Sequence, residues 1–438
     1  MTAAGVPPLP PTPIPPPPRG GAWNLAPRLT FQGGHSVSLL RGGDALFPAM
    51  IAAIDAAQRQ VWLATYIFHD DDDARALALA LAAAARRGVR VRLVVDGFGS
   101  KATLPVLRDW LADSGAELAV FRPIDRWWRW FSPGQLRRLH QKLCVVDGAI
   151  AFVGGVNLIA DRLDLRHGWS DAPRLDFAVS LRGAAVAQVM QTAQAMWTRA
   201  ALGRVWRDEV LALTRSAAPL ANLRGLAQRL RQSPPLRRAP ADDAPLPPTR
   251  LAFVVRDNLR QRRAIERAYI EAINRARERV DLVTPYFYPG RAFRRALGAA
   301  ARRGVRVRLL LQGKIDYRLA GLAARVLYDE MLANGIEIHE YTAAYLHAKV
   351  GVVDGRWCTV GSSNIDPLSL LLNLEANVVV QDDDFAGELG RALDEAMAGA
   401  RRVTAPPYAT GALAVLRRGF VAGLARWFLR MAGLSGKY

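Results

Sequence analysis

The segment HQKLCVVDG at residues 140–148 returns almost unchanged as HAKVGVVDG at 347–355, an offset of 347 − 140 = 207 residues. Solenoid repeats run to a few tens of residues, so an offset this long means a duplicated domain. The flanks repeat as well. ARRGVRVRLVVDG (85–97) matches ARRGVRVRLLLQG (301–313), and the apolar run VWLATYIF (61–68) has its counterpart in VDLVTPYFYP (280–289). Each ARRG block reads as the end of an Ala-rich helix, a terminating Gly and a strand. Each half is therefore strand, helix, strand, then a strand pair around the His motif. Such alternation predicts an α/β fold with a largely parallel sheet covered by helices, and the duplication predicts a pseudo-twofold pair of similar halves.

The boundaries follow from composition. Residues 1–29 are a Pro-rich tail with no basic start and apolar stretch of a signal peptide. The first α/β domain spans 30–215, a Pro- and Arg-rich linker 216–249, the second domain 250–400, and a basic tail 401–438. No run reaches the ~18 apolar residues needed to span a bilayer. Cys144 and Cys358 sit inside apolar strand-like runs and read as small core residues, without a disulfide framework or a zinc site.

In the first copy His140, Lys142 and Asp147 are followed by Gly154, Gly155 and Asn157; in the second His347, Lys349 and Asp354 are followed by Gly361, Ser362 and Asn364. Side chains two apart on a strand share a face, so each His and Lys can converge on one anion. The small residues bring the backbone close to a bound phosphate, and each Asn amide adds a donor. A lone His on a strand is more often structural than catalytic. Two copies with Lys, Asp, Gly and Asn at identical offsets argue against that reading. Asp147 and Asp354 each precede a Gly and read as turn starters, more structural than chemical.

The pattern His-x-Lys-x4-Asp-x6-Gly-(Gly/Ser)-x-Asn, present twice, resembles the phospholipase D superfamily over nearly all of residues 30–400. HQKLCVVDGAIAFVGGVN, AARRGVRVRLVVDGFGS and GSSNIDPLSLLLNLEANVVV resemble its bacterial cardiolipin synthase branch. The resemblance implies two phospholipase D-like α/β/α halves whose His motifs meet at the interface in one active site. It also implies a two-step transfer of a phosphatidyl group with no metal and no other cofactor. The six catalytic positions would be His140, Lys142, Asp147, His347, Lys349 and Asp354. By resemblance His140 is the nucleophile and His347 the proton donor; the residues alone do not decide between them. Lys142, Lys349, Asn157 and Asn364, with Gly154, Gly155, Gly361 and Ser362, would form the phosphate cradle. Glu375 is a His-orienting acid by resemblance, with Asp176 its counterpart, displaced by an eight-residue insertion around HGWSDAPR; the alternative for either acid is an ordinary strand residue. Gly155 stands where the commonest motif has Ser, a departure that does not read as inactivating.

The net charge of +20, from 59 Lys and Arg against 39 Asp and Glu, attracts phosphates, so nucleic acid and anionic membrane are the leading partners. Trp127, Trp128, Trp130 and Phe131 lie among arginines directly before His140, as suits a headgroup region, although a core helix would also carry them. In the tail, Leu413, Leu416, Phe420, Leu424, Trp427, Phe428 and Met431 recur at helical spacing with Arg418, Arg426 and Arg430 off that face; the alternative is a docking helix. Together they favour an enzyme on the cytoplasmic face of the cell membrane, bound peripherally, over a nucleic-acid partner. The expected reaction makes cardiolipin from phosphatidylglycerol, with phosphatidylethanolamine a further candidate donor. The runner-up is a phospholipase D-type hydrolase or nuclease, and a third class is a non-catalytic lipid-clustering scaffold. Oligomeric state is not legible.

Overall fold

The computed structural model describes residues 29–123, 137–165, 167–214, 247–257, 261–314, 327–366, 369 and 373–404. The expected linker lies almost wholly outside the described residues, as do the Pro-rich tail, the Trp127–Phe131 cluster and the aromatic residues of the C-terminal tail. Among the described residues one sheet carries, in the first half, β1 (Gln32–Arg41), β2 (Gln60–Thr65), β3 (Arg90–Asp96), β4 (Glu117–Phe121), β5 (Leu143–Val146), β6 (Ile150–Gly154) and β9 (Phe177–Gly183). A separate short hairpin, β7 (Leu163–Asp164) and β8 (Gly168–Trp169), precedes β9. The second half supplies β10 (Thr249–Arg256), β11 (Arg279–Val283), β12 (Arg306–Gln312), β13 (Glu337–Tyr341), β14 (Val350–Val353), β15 (Trp357–Gly361), β16 (Glu375–Gln381) and β17 (Arg401–Val403).

Read outward from the central antiparallel β1–β10 pair, the order is 1-9-6-5-2-3-4 on one side and 10-16-15-14-11-12-13 on the other, with β17 added at the far edge. The two halves thus match strand for strand about a pseudo-twofold seam. β17 brings the first residues of the expected tail into the second half. The sheet is not largely parallel. Only β2–β3–β4 and β11–β12–β13 run parallel; the Asp-Gly turns after β5 and β14 are too short for anything but antiparallel hairpins, and β9 and β16 return beside them.

The repeated ARRG blocks close their helices as the sequence predicts. Gly88 and Gly304 take φ of +90° and +87°, and the N–H groups of Val89 and Val305 reach back to Ala84 and Ala300 at 3.1 Å, which is the Schellman end that favours Gly. Helices Gly42–Asp55 and Asp72–Arg86 cover one face of the first half, and Ala264–Arg275 and Arg291–Arg302 the same face of the second. On the opposite face, Ala185–Thr214 and Asp383–Ala398 join a core that mixes both halves, from Val145 and Val189 to Val352 and Leu389. Cys144 and Cys358 are buried thiols of this apolar interior.

Asp147 and Asp354 do not join the chemistry. Each starts its turn with positive φ, +53° and +50°, and sits at the far end of β5 or β14, roughly 15 Å of extended chain from the motif Lys. The Asp147 carboxylate accepts the N–H groups of Gln58, Arg59 and Gln60 at 2.8 Å. Asp354 does the same for Arg277, Glu278 and Arg279 at 2.9 Å. These donors hold the Asp147 carboxyl below its ordinary range even though burial opposes them. Asp354→Ala is expected to cost about 1–2 kcal/mol of stability in urea unfolding, because water can replace part of the lost hydrogen bonding at this exposed loop. Asp354→Asn, which tolerates positive φ and keeps an acceptor, should retain most of it.

Candidate active site

His140 and His347 lie just before β5 and β14 rather than on them, because there the strand exchanges its partner within one half for a partner in the other. Leu139 bridges Leu374 and Leu175 bridges Leu346. The backbone bonds are matched: His140 N donates to Leu374 O at 3.0 Å, and His347 N to Leu175 O at 2.9 Å. Each bridge sets a His beside the acid that follows the partner Leu. His140 Nδ1 lies 3.0 Å from Glu375 Oε2, and His347 Nδ1 lies 2.6 Å from Asp176 Oδ2. Both expected acids are therefore at the site, but each serves the His of the opposite half. With Nδ1 held by a carboxylate, Nε2 is the nitrogen left for chemistry in both rings.

Lys142 and Lys349 are buried beside their own His, each donating one N–H of Nζ to that His carbonyl, at 2.8 Å for Lys142. Two N–H groups on each ammonium remain for a ligand. Burial pushes Lys142 down to about 8 and Lys349 to about 7, against the pull of Asp176 and Glu375. Burial likewise lowers His140, helped by the Lys142 charge, and lowers His347 to about 3, helped by Lys349. The acids respond oppositely: although burial alone would raise them, His347 and Lys349 hold Asp176 low, and His140 and Lys142 hold Glu375 low. Burial therefore works against a charge on either lysine and on either imidazole, while the two carboxylates pull the other way. A bound phosphodiester anion then makes room for one imidazolium.

The small residues do a different job from the one expected. The N–H groups of Gly154, Gly155, Gly361 and Ser362 all pair with neighbouring backbone, at 3.4, 3.0, 3.3 and 3.0 Å, so none is free for a phosphate. Gly154 is required because a Cβ would lie 2.5 Å from Ala178 Cα on β9. A Cβ at Gly155 would lie 2.4 Å from Asp176 Oδ1. A Ser there would have to displace the carboxylate that holds His347. Ser362 keeps its hydroxyl and donates it to Glu375 Oε2 at 2.6 Å. Asn157 and Asn364 are buried, and neither Oδ1 has a hydrogen-bond partner among the described residues.

Four further residues bear on the site. Asp96 Oδ2 accepts Leu139 N at 2.9 Å and Gln312 Oε1 accepts Leu346 N at 2.8 Å. Both fix the backbone immediately before a His of the motif from the end of the first parallel strand crossover. They are the Asp and Gln of the repeated VVDG and LLQG blocks, so the repeat carried the signal and the mismatch of residue type hid it. Burial pushes the Asp96 carboxyl up to about 6, against Arg138 and its N–H donors. Gln141 Nε2 donates to Glu375 O at 3.1 Å. The Tyr66 ring packs 5.0 Å from His140 and 5.6 Å from Lys142 Nζ.

Crossed pairing makes a spectroscopic prediction. In ¹⁵N-histidine spectra, Glu375→Gln should shift the tautomer signature of His140 and leave that of His347 in place, and Asp176→Asn should do the reverse. Changes confined to the His of the same half would contradict the arrangement.

The family description "cardiolipin synthase, PLD-like domain" matches residues 50–169 and 269–397, one stretch in each half. Cardiolipin synthase B of Escherichia coli strain K12 is 35% identical over 362 residues, which cover 82% of this chain and 79% of that protein. Cardiolipin synthase A of Pseudomonas fluorescens strain Pf-5 is 30% identical over 376 residues, covering 86% and 71%. Among solved structures, phosphatidylserine synthase of Haemophilus influenzae Rd KW20 shares the fold with a TM-score of 0.64 at 12% identity, over 94% of this chain and 99% of that one. With two matched stretches of one domain type, and a relative 35% identical over 82% of this chain, the chain belongs to the phospholipase D-like cardiolipin synthases.

Proposed function

We infer that this chain is a phosphatidyltransferase that makes cardiolipin through a phosphohistidine. The observation that supports the reading most is the pair of crossed His–carboxylate contacts around two buried ammonium groups. In the first step Nε2 of neutral His140 attacks the phosphorus of a donor phospholipid, and the bond from phosphorus to the headgroup oxygen breaks. Protonated His347 gives its proton to that leaving oxygen. In the second step His347 takes the proton from a hydroxyl of a phosphatidylglycerol headgroup. That oxygen bonds to phosphorus as the phosphorus–nitrogen bond breaks, giving cardiolipin and free His140.

Lys142 and Lys349 stabilise the non-bridging oxygens, whose charge grows in the transition state, and the Asn157 and Asn364 amides complete the cradle. Glu375 and Asp176 fix the tautomer of each ring. The donor in this proposal is phosphatidylglycerol, with phosphatidylethanolamine second, and the protein works peripherally at the cytoplasmic face. In keeping with that, no helix of the described residues is long and apolar enough to cross a membrane.

Incubation with phosphatidylglycerol vesicles in excess EDTA should yield cardiolipin with little phosphatidic acid by mass spectrometry. His140→Ala should abolish it, and His347→Ala should lower the rate by on the order of 10²–10⁴. Phosphatidic acid alone would identify a hydrolase instead. The lysines set the alkaline limb. Both must be charged to hold a phosphate, and their lowered values mean that charge is lost as pH rises through about 7 and 8. Thus kcat/KM should fall above about pH 7, whereas the limb of kcat should lie higher, because the bound anion favours the ammonium form.

A further inference from the structure

The insertion that displaces Asp176 from its counterpart forms the β7–β8 hairpin, in which Leu163 pairs Trp169 and Asp164 pairs Gly168. No matching hairpin occurs among the described residues of the second half. Its base is tied down: Ser170 N donates to Arg162 O at 2.7 Å and Arg174 N to Asp161 O at 2.8 Å. His167 stacks on Tyr345 of the second half at 5.3 Å, and Tyr345 lies two residues before His347. The hairpin is therefore seated on the lip of the catalytic cleft. Its apolar residues point elsewhere, since Trp169 is 71% exposed and Leu165 55%.

Among the described residues only four large apolar side chains are exposed: Leu79, Phe98, Leu165 and Trp169. Three of the four lie on segments packed beside a residue two positions before a His of the motif. Phe98 flanks the other His motif, with the guanidinium of Arg138, two residues before His140, 5.4 Å from its ring. The matching position on the second lip holds Lys314, whose Nζ lies 5.6 Å from the Tyr345 ring. Each lip thus pairs an aromatic ring with a cation, one member of the pair (Arg138 or Tyr345) lying two residues before its His, with the hairpin adding an indole and a leucine on one side.

We propose that the Leu163–Trp169 hairpin is the lipid-surface anchor of the cleft, entering the headgroup region of an anionic bilayer with Phe98 on the opposite lip. The inference rests on the proposed lipid substrate. Exposed indole and leucine beside cations match a surface that is apolar below and anionic above, and the net charge of +20 draws the whole protein there. A second copy of the chain is a poorer occupant, because a few scattered side chains bury far less than the ~800 Å² per partner of a stable interface. Docked this way, the two His rings open toward the bilayer, and a phospholipid reaches them headgroup first without leaving its leaflet.

The test uses the full chain carrying Leu165→Ala with Trp169→Ala, and Trp169→Phe as the conservative variant. Co-sedimentation with phosphatidylglycerol vesicles should weaken at least fivefold for the double variant and be largely restored by Trp169→Phe alone. Turnover on vesicles should fall in step, whereas turnover of monomeric dihexanoyl phosphatidylglycerol should stay within twofold. Unchanged vesicle binding overturns the proposal, as does equal loss on both substrates, which would make the hairpin a support for Tyr345 and His347. A change in self-association by sedimentation velocity, with vesicle binding intact, would assign the patch to a second copy and overturn it too. If the unaltered chain turns over neither lipid, the functional reading fails, while the binding measurement still decides the anchor.

Discussion

Two short contacts, His140 to Glu375 at 3.0 Å and His347 to Asp176 at 2.6 Å, decide how this chain has to be built. An imidazole that must attack or protonate at Nε2 needs its Nδ1 tied to an acceptor, and here the acceptor always comes from the other half. The Leu139–Leu374 and Leu175–Leu346 bridges are the backbone expression of the same requirement. They explain why the sheet runs unbroken across the β1–β10 seam, and why one apolar core draws on both halves. A half of this protein has a His without its carboxylate, and a carboxylate without its His. Duplication alone would leave two incomplete sites; crossing them makes one.

Burying two lysines and two acids together is costly unless their charges close on each other. Here they balance, and each ammonium keeps donors free for an anion. The low basicity of the lysines and imidazoles follows from that burial. An incoming phosphodiester favours the ammonium form of both lysines and the imidazolium form of a ring. The anion is then required for the protonation state that acts on it.

Much of this was legible in the residues. The repeat announced two halves, the Gly after each Ala-rich helix was found at positive φ, and both His, both Lys, Glu375 and even the displaced Asp176 converge as the motif implies. What was hidden is what a linear string cannot carry. Nothing in the spacing of Glu375 from His347 says that it reaches His140, because that contact depends on how two halves face each other. The residues suggest a largely parallel sheet because strand–helix alternation is visible at a distance, whereas hairpins made by Asp-Gly turns are short. The phosphate-cradle role of Gly154, Gly155, Gly361 and Ser362 failed for a related reason: a glycine that admits a phosphate and one that admits a neighbouring strand look alike until the strand is placed.

The halves are alike in frame and unlike in detail, and the differences fall in matched sets. Where β11 and β12 set Asp281 beside Arg308 in a buried ion pair at 2.6 Å, the same positions on β2 and β3 hold Trp62 and Arg92, with the guanidinium 5.1 Å from the ring centroid. Near the chemistry, Ser362 is paired with the longer Glu375, and Gly155 with the shorter Asp176, which occupies the space a Ser side chain would need. Glu375 Oε2 divides itself between an imidazole and a hydroxyl, whereas Asp176 Oδ2 faces His347 and its other oxygen takes the N–H of Phe177 at 2.9 Å. Tyr66 packs on His140, whereas on the other side His167 stacks on Tyr345, two residues before His347. A strictly symmetric site would give both rings one basicity and leave a single proton shared between them. In a symmetric pair the bound substrate decides which ring carries that proton, whereas in this chain the carboxylate, its hydrogen-bond partners and the packed ring all differ, so the two rings are already unequal.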